Sequence, residues 1–134
     1  MYQLRVCLAL LLTALLVIGG AGCGDDITVR TTPARTDVTA VELQTMMADG
    51  KPLVLLDVRS TGEYAAGHIE GSINVQLSAL KTWGDTQAPR TRIACICWSG
   101  VRSRAAADQL VAMGFTDVYN LQGGLSVWPG GLVT

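Results

Sequence analysis

The fold is decided by a stretch in the second half of the chain, which reads Ile93-Ala94-Cys95-Ile96-Cys97-Trp98-Ser99-Gly100-Val101-Arg102-Ser103. Its first four residues are apolar, which predicts a strand that is buried on both faces. The alanine-rich segment 103–113 ends before Gly114, which predicts a helix. A strand that leads through a tight turn into a helix is a repeating unit of α/β folds.

Strand and helix signals also alternate along the rest of the chain. Thr39-Ala40-Val41-Glu42 and Ser60-Thr61-Gly62-Glu63 are capping boxes, which predict the starts of two helices. Further strands are predicted at 53–56, 73–75 and 118–121, a further helical segment at 77–83, and a final helix that follows Gly124 and ends near Trp128. We therefore expect a three-layer α/β sandwich with a mostly parallel central sheet and helices on both faces. Ligands of such folds bind beyond the carboxyl ends of the strands, where we expect Asp57, Arg59 and Cys97.

The composition excludes several classes of function. The chain has 134 residues, enough for one domain, and a formal net charge of −1, so no nucleic-acid partner is expected. Its four cysteines are Cys7, Cys23, Cys95 and Cys97, which do not form a spaced disulfide framework. His68 is the only histidine, so a structural zinc site lacks ligands. We predict neither a metal nor a cofactor.

The N-terminal residues have the pattern of a targeting segment. Residues 1–22 combine one arginine, a short apolar run and small residues, which predicts a signal peptide. Ala21-Gly22-Cys23 resembles the cleavage motif of bacterial lipoproteins, which implies lipid on Cys23 and an extracytoplasmic, membrane-anchored protein. An uncleaved signal anchor, or ordinary cleavage with a free Cys23, are the alternatives. Residues 23–36 are predicted to be a polar tether, and residues 37–134 the domain.

The turn between Cys97 and Arg102 has the features of an anion-binding loop. A turn of this length can direct successive backbone N–H groups inward, and Gly100 permits unusual backbone angles. The N-terminus of the following helix and the Arg102 cation would both lower the pKa of the Cys97 thiol. We therefore predict Cys97 as the nucleophile. The predicted substrate-binding residues are Trp98, Ser99, Gly100, Val101, Arg102 and Ser103.

Three nearby residues need a separate interpretation. Cys95 is interpreted first as a core residue, with a resolving thiol for Cys97 as the alternative. Glu63 is explained as a helix cap and is given no acid–base role. Trp98 either shapes the access of an acceptor or forms an apolar lip without selectivity.

Several motifs of the chain resemble those of the rhodaneses, a family of sulfurtransferases. Cys97-x-x-Gly100-x-Arg102-Ser103 looks like the active-site loop of that family. The other similar motifs are Leu56-Asp57-Val58-Arg59, Glu63-Tyr64-x-x-Gly67-His68-Ile69-x-Gly71-Ser72-x-Asn74, and Gly114-Phe115-x-x-Val118-x-x-Leu121-x-Gly123-Gly124 with Trp128. These motifs span residues 38–130 in the order found in the family, in which His68 lies in a structural turn.

The resemblance implies a rhodanese fold and a two-step mechanism without a cofactor. Cys97 would take sulfur from a small sulfur-containing anion such as thiosulfate, and the resulting persulfide would pass it to cyanide, a thiol or an unidentified protein acceptor. Arg102 would bind the anionic donor, and Asp57 and Arg59 would brace the loop or its rim. Related folds that act on phosphate or arsenate have one more residue between cysteine and arginine. The alternative is a persulfide-carrying or redox-sensing module without turnover.

Overall fold

The computed structural model describes residues 34–134 and confirms the predicted α/β class. The five strands are β1 (Thr36–Val38), β2 (Val54–Asp57), β3 (Ile73–Asn74), β4 (Ile93–Ile96) and β5 (Val118–Leu121). The helices are α1 (Ala40–Ala48), α2 (Thr61–Ala65), α3 (Leu80–Gly84) and α4 (Val101–Ala112), with 3₁₀ turns at Leu77–Ala79 and Gly124–Val127. The predicted signal peptide, Cys23 and most of the predicted tether lie outside the described residues.

All five strands are parallel and form one sheet in the order β1-β5-β4-β2-β3. In the centre of the sheet, Asp57 of β2 lies opposite Ile96 of β4. Because both strands end at these residues, the segments that follow them emerge side by side at the carboxyl edge. The sheet therefore brings together the two regions in which the sequence predicts a site.

The two faces of the sheet form separate apolar clusters, each covered by helices. On one face, Leu56, Ile93 and Cys95 pack with Leu80 of α3 and Leu110 of α4. The other cluster joins sheet residues to α1 and to the last 3₁₀ turn, and includes Leu43, Leu55, Ala94, Ile96, Leu121 and Leu125. The structure is thus the predicted sandwich of three layers. No helix within residues 34–134 is long and apolar enough to span a membrane.

The two capping boxes are present as predicted. Thr39 accepts from the Glu42 backbone N–H and Ser60 accepts from that of Glu63, and each glutamate accepts from the backbone N–H of its partner. Paired bonds of this kind satisfy N–H groups that the first helical turn leaves without partners.

Several element boundaries differ from the sequence prediction, including the three that follow. Strand β1 is new and includes Thr36, which we assigned to the tether. Helix α4 begins at Val101, two residues before the predicted start, because Gly100 already serves as its N-cap. The segment after Gly123 forms a 3₁₀ turn rather than a longer helix.

Candidate active site

The loop that follows β4 carries Cys97 to the carboxyl edge of the sheet. The Val58 backbone N–H donates to the Ile96 carbonyl at 2.9 Å, which extends the β2–β4 pairing to the start of the loop. Gly100 has φ 87°, and an added Cβ would crowd the Gly123 nitrogen and the Leu121 carbonyl oxygen. Only glycine fits this backbone readily, and the loop turns there directly into α4.

The Cys97 sulfur lies among hydrogen-bond donors. The Gly100 backbone N–H donates to Sγ at 3.1 Å, and the Ser103 hydroxyl lies 3.3 Å from Sγ. Burial opposes ionisation of Cys97, but hydrogen bonds from Ser103 and from the backbone of Ser99 and Gly100 outweigh it and lower the thiol pKa. The Gly100 N–H and the Ser103 hydroxyl are thus the donors within hydrogen-bond distance of Sγ, and both belong to the segment predicted to bind the substrate.

A chain of polar side chains extends from the sulfur through the protein. Ser103 Oγ donates to Asn120 Oδ1 at 2.7 Å, and Asn120 Nδ2 donates to Asp37 Oδ1 at 2.8 Å. The hydrogen bond from Asn120, and then the charge of Arg35, hold the pKa of Asp37 below its usual range against the effect of burial. The single hydroxyl proton of Ser103 can point either to Asn120 or to Cys97. The hydroxyl can therefore donate to the sulfur when Cys97 is a thiolate and to Asn120 when Cys97 is protonated.

Backbone hydrogen bonds from the last 3₁₀ turn hold the start of the Cys97 loop in place. The N–H groups of Leu125 and Ser126 donate to the carbonyl oxygens of Cys97 and Trp98 at 2.9 and 3.0 Å. Gly124 has φ 62°, and an added Cβ would clash with both carbonyl groups. Since these carbonyls are held on the outside of the turn, the loop N–H groups remain available to the sulfur. The sequence motif that contains Gly124 therefore has a direct function in shaping the site.

Arg102 is engaged in an ion pair that the sequence interpretation missed. Its Nη1 and Nη2 atoms donate to the two carboxylate oxygens of Glu63 at 2.9 and 2.7 Å. Hydrogen bonds from Arg102, and then from Ser60, hold the pKa of Glu63 well below its usual range. We expected Arg102 to be available for an anionic donor and Glu63 to act only as a cap. The ion pair combines these two groups, because α2 lies beside the start of α4.

Asp57 and Arg59 form a buried ion pair at the end of β2. Arg59 Nη2 donates to Asp57 Oδ2 and to the Gly67 carbonyl, both at 2.7 Å. The Asn74 side-chain amide donates to the backbone carbonyls of Asp57 and Arg59 at 3.0 and 2.9 Å. The pair therefore fixes the connection from β2 to α2, the helix that carries Glu63.

The remaining loop residues form the rim of the site. Trp98, Ser99, Val101 and Arg102 are exposed, whereas Gly100 and Ser103 are buried below them. The Trp98 side chain is 53% exposed and that of Val101 is 72% exposed, so the surface around the nucleophile is partly apolar.

His68 and Cys95 lie in structural surroundings. The His68 ring stacks on Tyr64, and its Nδ1 donates to the Tyr64 carbonyl at 2.9 Å, while its backbone forms an antiparallel bridge with Val133 rather than the predicted turn. Cys95 is fully buried in the sheet. Burial, and then the charge of Cys97, raise the pKa of the Cys95 thiol, which disfavours the resolving role.

Sequence reasoning missed Asn120 and the pairing of Glu63 with Arg102. Asn120 had a visible signal, since it is a polar residue in an otherwise apolar strand segment. Such a residue needs a buried partner, although the sequence does not name the partner. Nothing in the sequence around Glu63 indicates its ion pair with Arg102, because the capping box already accounts for a glutamate at this position.

These features define a class of α/β protein in which a cysteine at a strand-to-helix turn is surrounded by N–H donors. Residues 39–130 match the family described as "Rhodanese-like domain", and the chain belongs to that family.

Similar proteins include sulfurtransferases with an assigned name. A thiosulfate sulfurtransferase GlpE from Pseudomonas fluorescens is 40% identical over 78 residues, which cover 56% of this chain and 69% of that protein. The protein of that name from Shewanella oneidensis is 34% identical over 83 residues, which cover 61% and 81%. A rhodanese-like domain protein from Staphylococcus aureus has a TM-score of 0.67 at 27% identity, covering 73% of this chain and 96% of its own.

Proposed function

We propose that the protein is a sulfurtransferase that moves sulfane sulfur from a donor to a thiophilic acceptor through a persulfide on Cys97. The observation that carries this proposal is the hydrogen bonding of the Cys97 sulfur by Gly100 and Ser103. Donors in this arrangement stabilise a thiolate, which is the form of cysteine that attacks sulfur. The names of the similar proteins support the same reaction class.

In the first step, the Cys97 thiolate attacks the outer sulfur of the donor. With thiosulfate, a bond forms between Sγ and the sulfane sulfur, the sulfur–sulfur bond of the donor breaks, and sulfite leaves with the electron pair. The terminal sulfur of the persulfide then carries the negative charge. The Gly100 N–H and the Ser103 hydroxyl lie at the Cys97 sulfur, to which this terminal sulfur is bonded.

In the second step, an acceptor nucleophile attacks the terminal sulfur of the persulfide. Cyanide would leave as thiocyanate, and a thiolate would become a persulfide. In both cases the electron pair of the broken bond returns to Sγ and restores the Cys97 thiolate. The same hydrogen bonds then stabilise Cys97 as the leaving group.

A carrier or sensor without turnover is the second candidate. The observation in its favour is that Cys97 has no exposed surface, which restricts the approach of a second substrate. Such a module would take up one sulfur atom from a sulfane donor, or one oxygen atom from a peroxide that is reduced to water or an alcohol, and hold it until a specific partner binds.

The test is the intact mass of the purified full-length protein before and after incubation with thiosulfate, with Cys97→Ser alongside. The proposal expects the wild type to gain one sulfur atom, which cyanide removes, and expects the variant to gain none. Multiple turnovers of thiocyanate production support the enzyme. Stoichiometric uptake without turnover supports the carrier, and an absence of uptake by folded, reduced protein would contradict both.

We propose further that the chain is exported and anchored to a membrane by lipid on Cys23. The support is the pattern of residues 1–23. The expected result is that the mature protein sediments with membranes and that Cys23→Ala releases it into the soluble fraction. An unmodified Cys23 in the wild-type mature protein would contradict lipid anchoring.

A further inference from the structure

The ion pair at the mouth of the site is fixed on both sides. Glu63 Oε2 accepts from the Ser60 backbone N–H at 3.0 Å and from its hydroxyl at 2.8 Å. These bonds belong to the capping box of α2, so the carboxylate cannot turn away without uncapping its helix. Arg102 extends from the first turn of α4 and meets both carboxylate oxygens. The position of Glu63 is therefore determined by the fold as well as by its partner.

The pairing offsets the positive charge next to the nucleophile. The hydrogen bond with Glu63 is the largest influence that raises the pKa of Arg102, and attraction to the Cys97 thiolate adds to it. Arg102 lies in the first turn of α4, directly after the loop that begins with Cys97. Arg59, the other arginine placed near this edge, is paired with Asp57. Both arginines of the predicted site therefore face a carboxylate.

The pairing of Arg102 with Glu63 affects which sulfur donors can approach Cys97. Thiosulfate is a dianion, and its approach to a thiolate brings like charges together. A free arginine would offset that repulsion, whereas an arginine paired with Glu63 offsets less of it. The exposed Trp98 and Val101 side chains offer apolar contact to an organic group instead.

We propose that Glu63 is a specificity-determining residue, which pairs with Arg102 and thereby disfavours dianionic donors relative to singly charged or neutral organic persulfides. This inference rests on the proposed sulfurtransferase function. With a persulfide R–S–SH, the Cys97 thiolate attacks the outer sulfur and the bond between the two donor sulfurs breaks. The electron pair leaves on R–S⁻, and Cys97 becomes Cys97–S–SH. No other oxidant or reductant is required.

The test compares Glu63→Gln with Glu42→Gln in the full-length protein. Glutamine at position 63 retains an oxygen that can accept from Ser60, so the cap is maintained while the negative charge is removed. Glu42 occupies the same position in the capping box of α1, where its hydrogen bonds are with Thr39 and not with Arg102. The control therefore makes the same chemical change in the same local structure.

The readout is kcat/KM for sulfur transfer to cyanide from thiosulfate and from cysteamine persulfide. Glu63→Gln should raise the ratio of the thiosulfate value to the persulfide value by about two- to fivefold, the size expected for a solvent-accessible charge pair. The increase should shrink as the ionic strength rises, because salt screens exposed charges. Glu42→Gln should leave the ratio unchanged.

Two results would overturn the inference. One is a Glu63→Gln ratio equal to that of the wild type, and the other is a lower ratio, which would mean that Glu63 positions Arg102 for the dianion. If Glu63→Gln fails to fold, the salt dependence of the wild-type protein tests the inference instead. Its kcat/KM for thiosulfate should stay constant or rise with added salt, whereas a steep fall would show an available cation. If wild-type Cys97 accepts sulfur from neither donor, the proposed function itself fails, which is distinguishable from an unchanged ratio.

Discussion

Cys95 and Cys97 are two residues apart, have no exposed surface and pack in the same apolar cluster, yet their thiols differ in chemistry. Burial and the nearby charge raise the pKa of Cys95, whereas hydrogen bonds lower the pKa of Cys97 despite its burial. Burial alone therefore does not decide the reactivity of a cysteine in this fold.

The difference arises where the sheet ends. Cys95 lies within β4, and the main-chain hydrogen bonds around it belong to the ladders with β2 and β5. Cys97 lies one residue past β4, where the loop turns and the Gly100 N–H is directed to the sulfur. The reactive thiol is thus produced by a change in backbone direction over two residues.

The largest effect is expected from removing the sulfur of Cys97. Cys97→Ser should abolish sulfur uptake completely, because the hydroxyl is far less acidic and does not form a persulfide. Cys95→Ala should retain uptake within about twofold, since its thiol is not among the groups bonded to the Cys97 sulfur. Intact mass after incubation with thiosulfate measures the sulfur uptake of each variant, and thermal unfolding is the control that each variant is folded. If the Cys97→Ser variant takes up sulfur at Cys95, the conclusion that only Cys97 is reactive is contradicted.

The second effect tests whether the loop shape is the cause of the difference. Gly124→Ala should reduce sulfur uptake by at least about tenfold, and strain should destabilise the fold by roughly 1–3 kcal/mol. The added Cβ would push on the carbonyl groups of Cys97 and Trp98, which moves the N–H groups away from the sulfur. Initial rates of uptake and urea unfolding are the measurements.

Gly50→Ala is the matched control for this variant, because Gly50 also has a positive φ of 73° and a Cβ there meets no atom within 4 Å. If a stably folded Gly124→Ala variant takes up sulfur at the normal rate, the contacts between the last 3₁₀ turn and the Cys97 loop are not required for reactivity.

The third effect concerns the hydrogen bond from Ser103. The thiolate is the reactive form, so a lowered pKa keeps Cys97 reactive as the pH falls below the usual range of thiols, near 8.5. Ser103→Ala should raise this pKa, shift the labelling profile to higher pH and slow iodoacetamide labelling at pH 7 by about three- to tenfold. Mass-resolved labelling between pH 5 and pH 9 measures the profile.

Ser72→Ala is the control for Ser103→Ala, because Ser72 is also buried and donates to a backbone carbonyl away from the site. An unchanged profile in Ser103→Ala would assign the lowered pKa of Cys97 to the backbone donors alone.

The sequence predicted most of the sheet because its central strands are continuous apolar runs. It also located both capping boxes, since a cap depends on residues only three positions apart. Strand β1 was missed because Thr36, Asp37 and Val38 have no apolar pattern. They form a strand by pairing with β5, more than eighty residues away in the chain.

The site was predictable to the extent that it is local. The turn from Cys97 to Ser103 contains the nucleophile, the glycine and most of the donors, so its chemistry can be inferred from one segment. The contact between Glu63 and Arg102 joins two helices, and the chain from Ser103 to Asp37 joins three elements. Such contacts require the packing of the fold, which the residue pattern does not specify.

The smallest effect is expected at Cys95. Cys95→Ala should cost about 1 kcal/mol in urea unfolding, because a small void remains in the core. Peroxide treatment of the wild type should oxidise Cys97 without forming a disulfide to Cys95, since alternate residues of a strand are about 6.5–7 Å apart and a disulfide needs closer, suitably directed side chains. The raised pKa of Cys95 also leaves little thiolate to attack an oxidised Cys97. A loss of two hydrogen atoms in the intact mass of peroxide-treated wild type, absent from Cys95→Ala, would establish the resolving role and give Cys95 a function in the reaction.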